Sequence, residues 1–294
     1  MIEPSRRIDA AGLSAATLCC LLWGGNAVAV KYAIGADGVP PIGGAGLRFL
    51  LSLPVVALVC RRVGASWRVE RRLWWLLGVH GVLTAVQIGS FNWGTSRSEA
   101  GRSSVFINIH PLVVAPLAWW FLGERLGWRG ISGLVAAALG VAVMLARPLM
   151  LGGGLAGDLV VLASGLVFGL QSIAQKKTFP LIPPTTLLLL QSTLGIPLTF
   201  LYSACFEGPA AYHFGAEAVW GLIYQGLMVS GLAFATWMIL LRRYPAGRLA
   251  AVAFLTPLFG IALGTLMRGE PFTLPLAVGS ALVGLGIYLV TSEG

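Results

Sequence analysis

Ten apolar stretches, each about 20 residues long, follow one another along the 294-residue chain and constrain its fold more than any other feature. A helix that crosses the hydrocarbon core of a bilayer needs about 20 consecutive, mostly apolar residues. The connections between the stretches are too short to hold a separate soluble domain. The predicted spans are 11–33, 40–60, 73–96, 100–122, 128–146, 155–176, 183–206, 217–241, 247–267 and 273–291.

The composition places these helices in lipid. Charged residues make up 11% of the chain and hydrophobic residues 57%, whereas charged residues are about 25% of a typical soluble domain. Backbone polar groups in a bilayer must pair within the protein, and a helix pairs them within its own segment. The formal net charge of +9 is typical of cationic loops that flank membrane helices, so nucleic-acid binding is not expected. The sequence predicts an all-α integral membrane protein with ten transmembrane helices.

The distribution of Lys and Arg predicts the orientation. If the N-terminus is cytoplasmic, the cytoplasmic segments carry fourteen of the 20 Lys and Arg residues and the opposite side carries five, with Arg48 inside a span. Cytoplasmic loops of membrane proteins carry an excess of these residues. We therefore expect a multi-pass protein of the bacterial inner (plasma) membrane with both termini in the cytoplasm.

The second half of the chain repeats the first. Shifts of 145 or 146 residues align Trp23-Gly24 with Phe168-Gly169, Asn26 with Gln171, Ala100-Gly101-Arg102 with Ala246-Gly247-Arg248, Pro111 with Pro257, Gly123-Glu124 with Gly269-Glu270, and Gly133 with Gly279. Each copy contains five helices, and because five is odd, the second copy enters the membrane in the opposite direction. Inverted repeats of this kind place a binding site near the midplane of many secondary transporters. The predicted repeats cover residues 10–147 and 153–292, form one membrane domain and surround a central cavity.

Few ionisable side chains are predicted within the bilayer. Glu124 and Glu270 lie just before the fifth and tenth helices, where a carboxylate stabilises free N–H groups at a helix N-terminus. We assign them a structural or gating role rather than ion coupling. His80 and His110 lie in apolar surroundings, and each either titrates near neutral pH or forms a hydrogen bond with a neighbour. Arg48 either ties helices together or binds a substrate carboxylate.

Polar and aromatic side chains recur along one face of the third helix at spacings of four, three and four residues, so they form a single stripe. A polar stripe on a lipid-embedded helix points toward the interior of the bundle. With residues of neighbouring helices, the predicted cavity wall consists of Trp23, Asn26, His80, Thr84, Gln87, Phe91, Phe106, Phe168, Gln171, Gln175, Tyr224, Trp237 and Phe254. Ordinary helix packing and interfacial anchoring by Trp are the alternatives for each of them. Pro111 and Pro257 are predicted to kink helices four and nine, because proline removes a backbone hydrogen bond.

Three segments carry a resemblance to a known family. They are Leu22-Trp23-Gly24-Gly25-Asn26 in the first helix, the span from Pro111 to Gly123-Glu124, and the span from Pro257 to Gly269-Glu270. Together they resemble the drug/metabolite transporter superfamily and, within it, the ten-helix EamA-type branch, over almost the whole chain. The details are most similar to those of bacterial exporters of the YddG type. This resemblance implies export of aromatic and other neutral amino acids.

The residues also favour transport over catalysis. The chain has no HExxH, DDxxD or GxSxG motif, so we expect no enzyme, no cofactor and no metal. Aromatic and amide walls suit a neutral or zwitterionic substrate with an apolar side chain, whereas a polyphosphate would need clustered Lys and Arg. We expect a monomer that exports neutral amino acids by alternating access, with a small molecule and membrane lipid as its partners. Export of other small metabolites or drugs is the alternative.

Overall fold

The computed structural model describes residues 9–34, 38–110, 113–114, 117, 120, 127–151, 154–209, 211–244, 249, 252–253 and 255–291, and all regular secondary structure in these ranges is helical. The helices are α1 Ala10–Ile34, α2 Pro41–Arg62, α3 Trp74–Ser96, α4 Ala100–Ile107, α5 Trp128–Leu151, α6 Leu155–Thr178, α7 Pro184–Phe206, α8 Ala216–Arg243, α9 Leu255–Arg268 and α10 Leu274–Thr291. A 3₁₀ turn, Arg71–Leu73, precedes α3. The middle of α8, Tyr224–Ala233, is π-helical.

Six of these helices, α1, α2, α3, α6, α7 and α8, are long and apolar enough to cross a bilayer. Large apolar side chains lie on the outer surface of the bundle, as on Leu201, which is 61% exposed. Lipid is the environment in which such a surface is stable. The predicted all-α membrane fold is therefore confirmed. The fifth helix continues to Leu151, five residues beyond the predicted end. The predicted spans 100–122 and 247–267 extend into ranges that the structure does not describe.

The helices pack with the symmetry of two repeats. Helix α5 packs against α10, α2 against α7 and α4 against α9, so each of these pairs joins equivalent helices of the two halves. The other main pairs also correspond between the two halves. The α1–α8 contact corresponds to α6–α3, the α2–α8 contact to α7–α3, and the α1–α9 contact to α6–α4. Exchanging the halves leaves the first three pairs unchanged and converts each of the others into another observed pair. A two-fold axis between five-helix repeats produces this pattern, and the odd helix count places the axis in the membrane plane.

Glycines allow the closest contact, between α5 and α10. A Cβ atom added to Gly140 would lie 2.6 Å from the carbonyl oxygen of Gly279 and 2.8 Å from the backbone nitrogen of Val283. At the symmetry-related contact, a Cβ atom on Gly286 would overlap the carbonyl oxygen of Gly133. Small residues at helix interfaces permit such close approach of two backbones in membranes. Gly133 and Gly279, which the repeat aligns, therefore belong to a tight helix pair.

Two glutamates cap helices other than their own. Both carboxylate oxygens of Glu270 accept hydrogen bonds at the N-terminus of α4, from the N–H groups of Ala100 at 2.6 Å and Gly101 at 2.8 Å. At the N-terminus of α2, both carboxylate oxygens of Glu207 likewise accept hydrogen bonds, from the N–H groups of residues 42 and 43 at 2.9 and 3.1 Å. These donors have no partner within their helices. The sequence placed Glu270 beside α10, and the structure shows that it instead joins the α9–α10 connection to α4.

Three predicted residues, Pro111, Glu124 and Phe254, lie outside the described residues. Pro257 is buried near the start of the described part of α9. The kinks predicted for helices four and nine stay predictions.

Candidate functional site

A central cavity lies between the repeats. It contains about 530 Å³ of empty space, part of it open to solvent. The wall consists of Trp23, Asn26 and Ala27 from α1, Arg48 from α2, Gln87, Ile88 and Phe91 from α3, Ser104, Ile107, Asn108 and His110 from α4 and the residues after it, Phe168 from α6, Val229 and Phe234 from α8, and Thr256 from α9. Helices α5, α7 and α10 contribute none of these residues, so they form the scaffold around the site.

The two consecutive glycines of α1 position the first helix on this wall. A Cβ atom on Gly24 would lie 2.6 Å from Cβ of Phe259 in α9. A Cβ atom on Gly25 would overlap the hydroxyl group of Tyr224 in α8. Because Cβ of Phe259 and the backbone of Gly260 approach Gly24 so closely, a larger residue does not fit there, whereas at Gly25 it would force the Tyr224 side chain to move. The side chains on either side, Trp23 and Asn26, both lie on the cavity wall.

A chain of aromatic rings crosses from one repeat to the other. Trp23 contacts Trp237 and Phe234 of α8, with ring centroids 4.7 and 5.3 Å apart. Phe234 lies 6.3 Å, edge to face, from Phe168 of α6. Phe168 contacts His110 at 4.6 Å. Trp23 and Phe168 are equivalent positions of the two repeats, so the duplication has produced an aromatic patch that spans the two-fold axis.

A ladder of polar pairs joins α3 to α6. Gln87 Nε2 donates to Ser164 Oγ at 3.1 Å, and that hydroxyl group donates to the backbone oxygen of Gln87 at 2.8 Å. Gln171 Nε2 donates to Thr84 Oγ1 at 2.7 Å.

His80 Nε2 lies 3.0 Å from Thr178 Oγ1, completing the ladder. The residue numbers rise on α6 as they fall on α3, as expected of antiparallel helices. The predicted inward-facing stripe of α3 is therefore mostly paired with α6. Only its Gln87 and Phe91 line the cavity.

The remaining predicted wall residues have other partners. Gln175 Nε2 donates to Gln191 of α7 at 3.3 Å, and the hydroxyl group of Tyr224 donates to the backbone oxygen of Leu22 at 3.0 Å. Trp237 contacts Trp23 and is not among the described wall residues. Phe106 is fully buried in an apolar core. The predicted residues on the wall are thus Trp23, Asn26, Gln87, Phe91 and Phe168.

Sequence reasoning missed several wall residues. Arg48, weighed as either a tether or a carboxylate receptor, lies on the wall with no exposed surface. His110, rather than His80, reaches the cavity. Asn108 and Phe234 were not singled out, although an amide and a ring within predicted spans are the same signal that selected Gln87 and Phe168. None of the described wall residues is an Asp or Glu.

A second polar cluster ties the repeats together at the end of the bundle where α4 and α6 begin. Asp158 is fully buried and accepts a short hydrogen bond from Ser98 Oγ. Arg102 lies with Nη1 3.6 Å from the Asp158 carboxylate and Nε 3.5 Å from Glu99. Nearby, Lys31 Nζ donates to the backbone oxygen of Ser96 at 3.3 Å. These contacts hold α4, α6 and the α3–α4 connection together on one side of the cavity.

Comparison with known proteins agrees with this architecture. Residues 10–146 and 155–292 each match the model of the EamA-like transporter family. The chain belongs to the EamA-like transporter family. A solved protein structure superposes with a TM-score of 0.73 at 20% identity, covering 98% of both chains, and it shares the fold.

Three curated relatives cover nearly the whole transporter. The uncharacterized transporter YoaV of Bacillus subtilis is 25% identical, over 92% of this chain and 93% of its own. The probable amino-acid metabolite efflux pump of Escherichia coli is 27% identical, over 93% and 92%. The probable terminal-alkyne amino-acid exporter of Streptantibioticus cattleyicolor is 28% identical, over 94% and 92%. The family and these relatives confirm that the protein is a multi-pass membrane transporter and not an enzyme.

Proposed function

We propose that this transporter exports neutral amino acids, aromatic and other apolar ones, through the central cavity by alternating access. The observation that carries the proposal is the composition of the wall, where four aromatic rings lie beside three side-chain amides: Trp23, Phe91, Phe168, Phe234, Asn26, Gln87 and Asn108. Aromatic rings bury apolar side chains and pack against other rings. An amide offers both donors and an acceptor, so it can serve either charged group of a zwitterion.

The named relatives support this substrate class. Both the Escherichia coli pump and the Streptantibioticus cattleyicolor exporter carry names that refer to amino acids or their metabolites. Their similarity extends over more than nine-tenths of each chain. The same proposal includes four further points: export is the direction of transport, both termini are cytoplasmic, the repeats have the predicted boundaries, and the protein functions as a monomer.

Transport by the purified protein in proteoliposomes tests the proposal. Labelled phenylalanine, leucine, glucose and uridine are offered with and without a proton gradient. We expect saturable flux of the two amino acids and none of the sugar or nucleoside. Flux of amino acids that requires the gradient would point to His110, the titratable imidazole on the wall, as the coupling group. Flux of sugars, nucleosides or cationic dyes without amino-acid flux would refute the substrate class and favour a general metabolite or drug exporter.

A pair of phenylalanine variants links the flux to the cavity. Phe168→Ala removes one ring of the aromatic patch, and a single aromatic contact is worth about 0.5–1.5 kcal/mol, so the KM for phenylalanine should rise about 2–12-fold. Phe272→Ala is the matched control because Phe272 is 64% exposed and lies outside the cavity. Equal KM values for the two variants would exclude this cavity as the binding site.

A further inference from the structure

Arg48 is the only Lys or Arg among the described wall residues of the cavity. It lies in the first half of α2 and has no exposed surface. Its Nε donates to Ser230 Oγ in the π-helical segment of α8, at 2.7 Å. A guanidinium group has five N–H donors, and this bond uses one of them. A role as a tether between α2 and α8 therefore leaves four donors without an explanation.

The other end of the guanidinium group is buried and unpaired. Neither Nη1 nor Nη2 has a hydrogen-bond acceptor among the residues that the structure describes. No described wall residue is acidic. An ionised group in a medium of low dielectric is costly unless it is paired. The described wall therefore supplies no counter-charge to Arg48, and an anion that enters the cavity would complete this site.

We propose that Arg48 is the receptor for the carboxylate of the transported substrate, with Nη1 and Nη2 facing its two oxygens. The planar fork of the guanidinium group matches a carboxylate with two parallel hydrogen bonds. Ser230 holds Nε and so fixes the plane of the fork. This inference rests on the proposed function and narrows it, because it makes the carboxylate a required part of the substrate.

A second unpaired group on the same wall fits the other end of an amino acid. Asn26 of α1 is 8% exposed, and its side-chain oxygen has no partner among the described residues. An amide oxygen accepts a hydrogen bond from an ammonium group. Arg48, Asn26 and the aromatic patch then provide one partner each for the carboxylate, the ammonium group and the apolar side chain. An amine without a carboxylate would leave Arg48 unpaired and add a second positive charge, so the site rejects it.

Competition against labelled phenylalanine in proteoliposomes tests the role of the carboxylate. 3-Phenylpropionate keeps the carboxylate and lacks the amine, whereas phenylalaninamide and phenethylamine lack a free carboxylate. We expect the wild-type transporter to be inhibited by 3-phenylpropionate and not by the other two. In Arg48→Gln, the loss of hydrogen bonds to a charged group should raise the half-saturating phenylalanine concentration about 10–150-fold. The three competitors should then differ little.

Two further variants separate binding from structure. Arg62→Gln, in the exposed end of the same helix, should keep the wild-type affinity and selectivity. Arg48→Lys keeps the charge and loses the fork, so it should retain carboxylate selectivity at lower affinity. If Arg48→Gln prefers 3-phenylpropionate over phenylalaninamide as strongly as the wild type does, Arg48 is only a tether and the inference is wrong.

Ligand-induced thermal stabilisation of the wild-type protein gives a readout that does not depend on any variant folding or on flux. A bound ligand raises the melting temperature. We expect phenylalanine and 3-phenylpropionate to raise it and phenethylamine not to. Stabilisation by chloride alone, with no response to carboxylates, would make this an inorganic-anion site and overturn the inference. Absence of amino-acid flux together with stabilisation by 3-phenylpropionate would refute the proposed function and leave Arg48 as a carboxylate receptor.

Discussion

The contact between α5 and α10 gives the sharpest stability prediction. In Gly140→Ala, the new Cβ atom would lie 2.6 Å from the carbonyl oxygen of Gly279, at least 0.8 Å short of the 3.4–4 Å of an ordinary contact. The opposing atom is backbone and cannot rotate away, so the helices must separate. Overpacking of this kind costs about 1–3 kcal/mol.

A third glycine provides the matched control. A Cβ atom on Gly78 of α3 would meet nothing within 4 Å. Both substitutions gain the same helix propensity, roughly 1 kcal/mol, so the difference between them isolates the overlap. We expect Gly140→Ala to melt about 2–12 °C below Gly78→Ala in detergent micelles. Transport should change little in either variant, because neither residue lines the cavity.

The symmetry-related contact sharpens the test. Gly286→Ala should lower the melting temperature by a similar amount, since its Cβ atom would lie 2.7 Å from the backbone nitrogen of Ala137. Once α5 and α10 have separated at one contact, the second overlap is partly relieved, so the double variant should lose less than the sum of the single losses. Equal melting temperatures for the Gly140 and Gly78 variants would refute the close backbone approach.

Two other predictions concern the helix ends and the orientation. Glu270→Ala removes two hydrogen bonds to a carboxylate, each worth about 1.5–3 kcal/mol, so thermal melting should show a marked loss of stability. The control is Glu217→Ala, which removes an exposed carboxylate in the first turn of α8 and should cause almost no loss. Equal losses would mean that Glu270 does not cap α4. In a cysteine-free background, His213→Cys in the α7–α8 loop should react with a membrane-impermeant maleimide in intact cells, and Arg68→Cys in the α2–α3 loop only after permeabilisation. The reverse pattern would place both termini outside.

The sequence is sufficient to predict the architecture because a bilayer imposes strict requirements on the segments that cross it. Every span must be apolar over about 20 residues, so the ten helices can be read from the chain directly. The repeat follows from matched pairs such as Gly123-Glu124 and Gly269-Glu270. The partner of Glu270 could not be predicted in this way, because the N–H groups that it binds belong to a helix about 170 residues earlier.

The cavity wall could be predicted only in part. The stripe of α3 marks a face that avoids lipid, but a hydrogen-bonded partner helix and a substrate cavity satisfy polar side chains equally well. Thr84 and His80 therefore face α6, while Gln87 from the same stripe lies on the cavity wall. Arg48 was ambiguous for a similar reason. Its position in a span indicates burial but does not show whether its donors have partners.

The two equivalent helix contacts of the repeats differ in how they would respond to water. The α3–α6 contact is held by polar pairs, and each of these groups can exchange its partner for a water molecule at a small net cost. The α1–α8 contact also has hydrogen bonds, such as that from the Tyr224 hydroxyl group to the backbone oxygen of Leu22, but its ring contacts join Trp23 to Phe234 and Trp237. Opening these ring contacts would expose apolar surface to water at about 25 cal/mol for each Å². We therefore expect the two halves of a transport cycle to be unequal. Water would enter the polar α3–α6 contact and the two helices would separate readily. The aromatic α1–α8 contact would open only when a substrate side chain covers the rings.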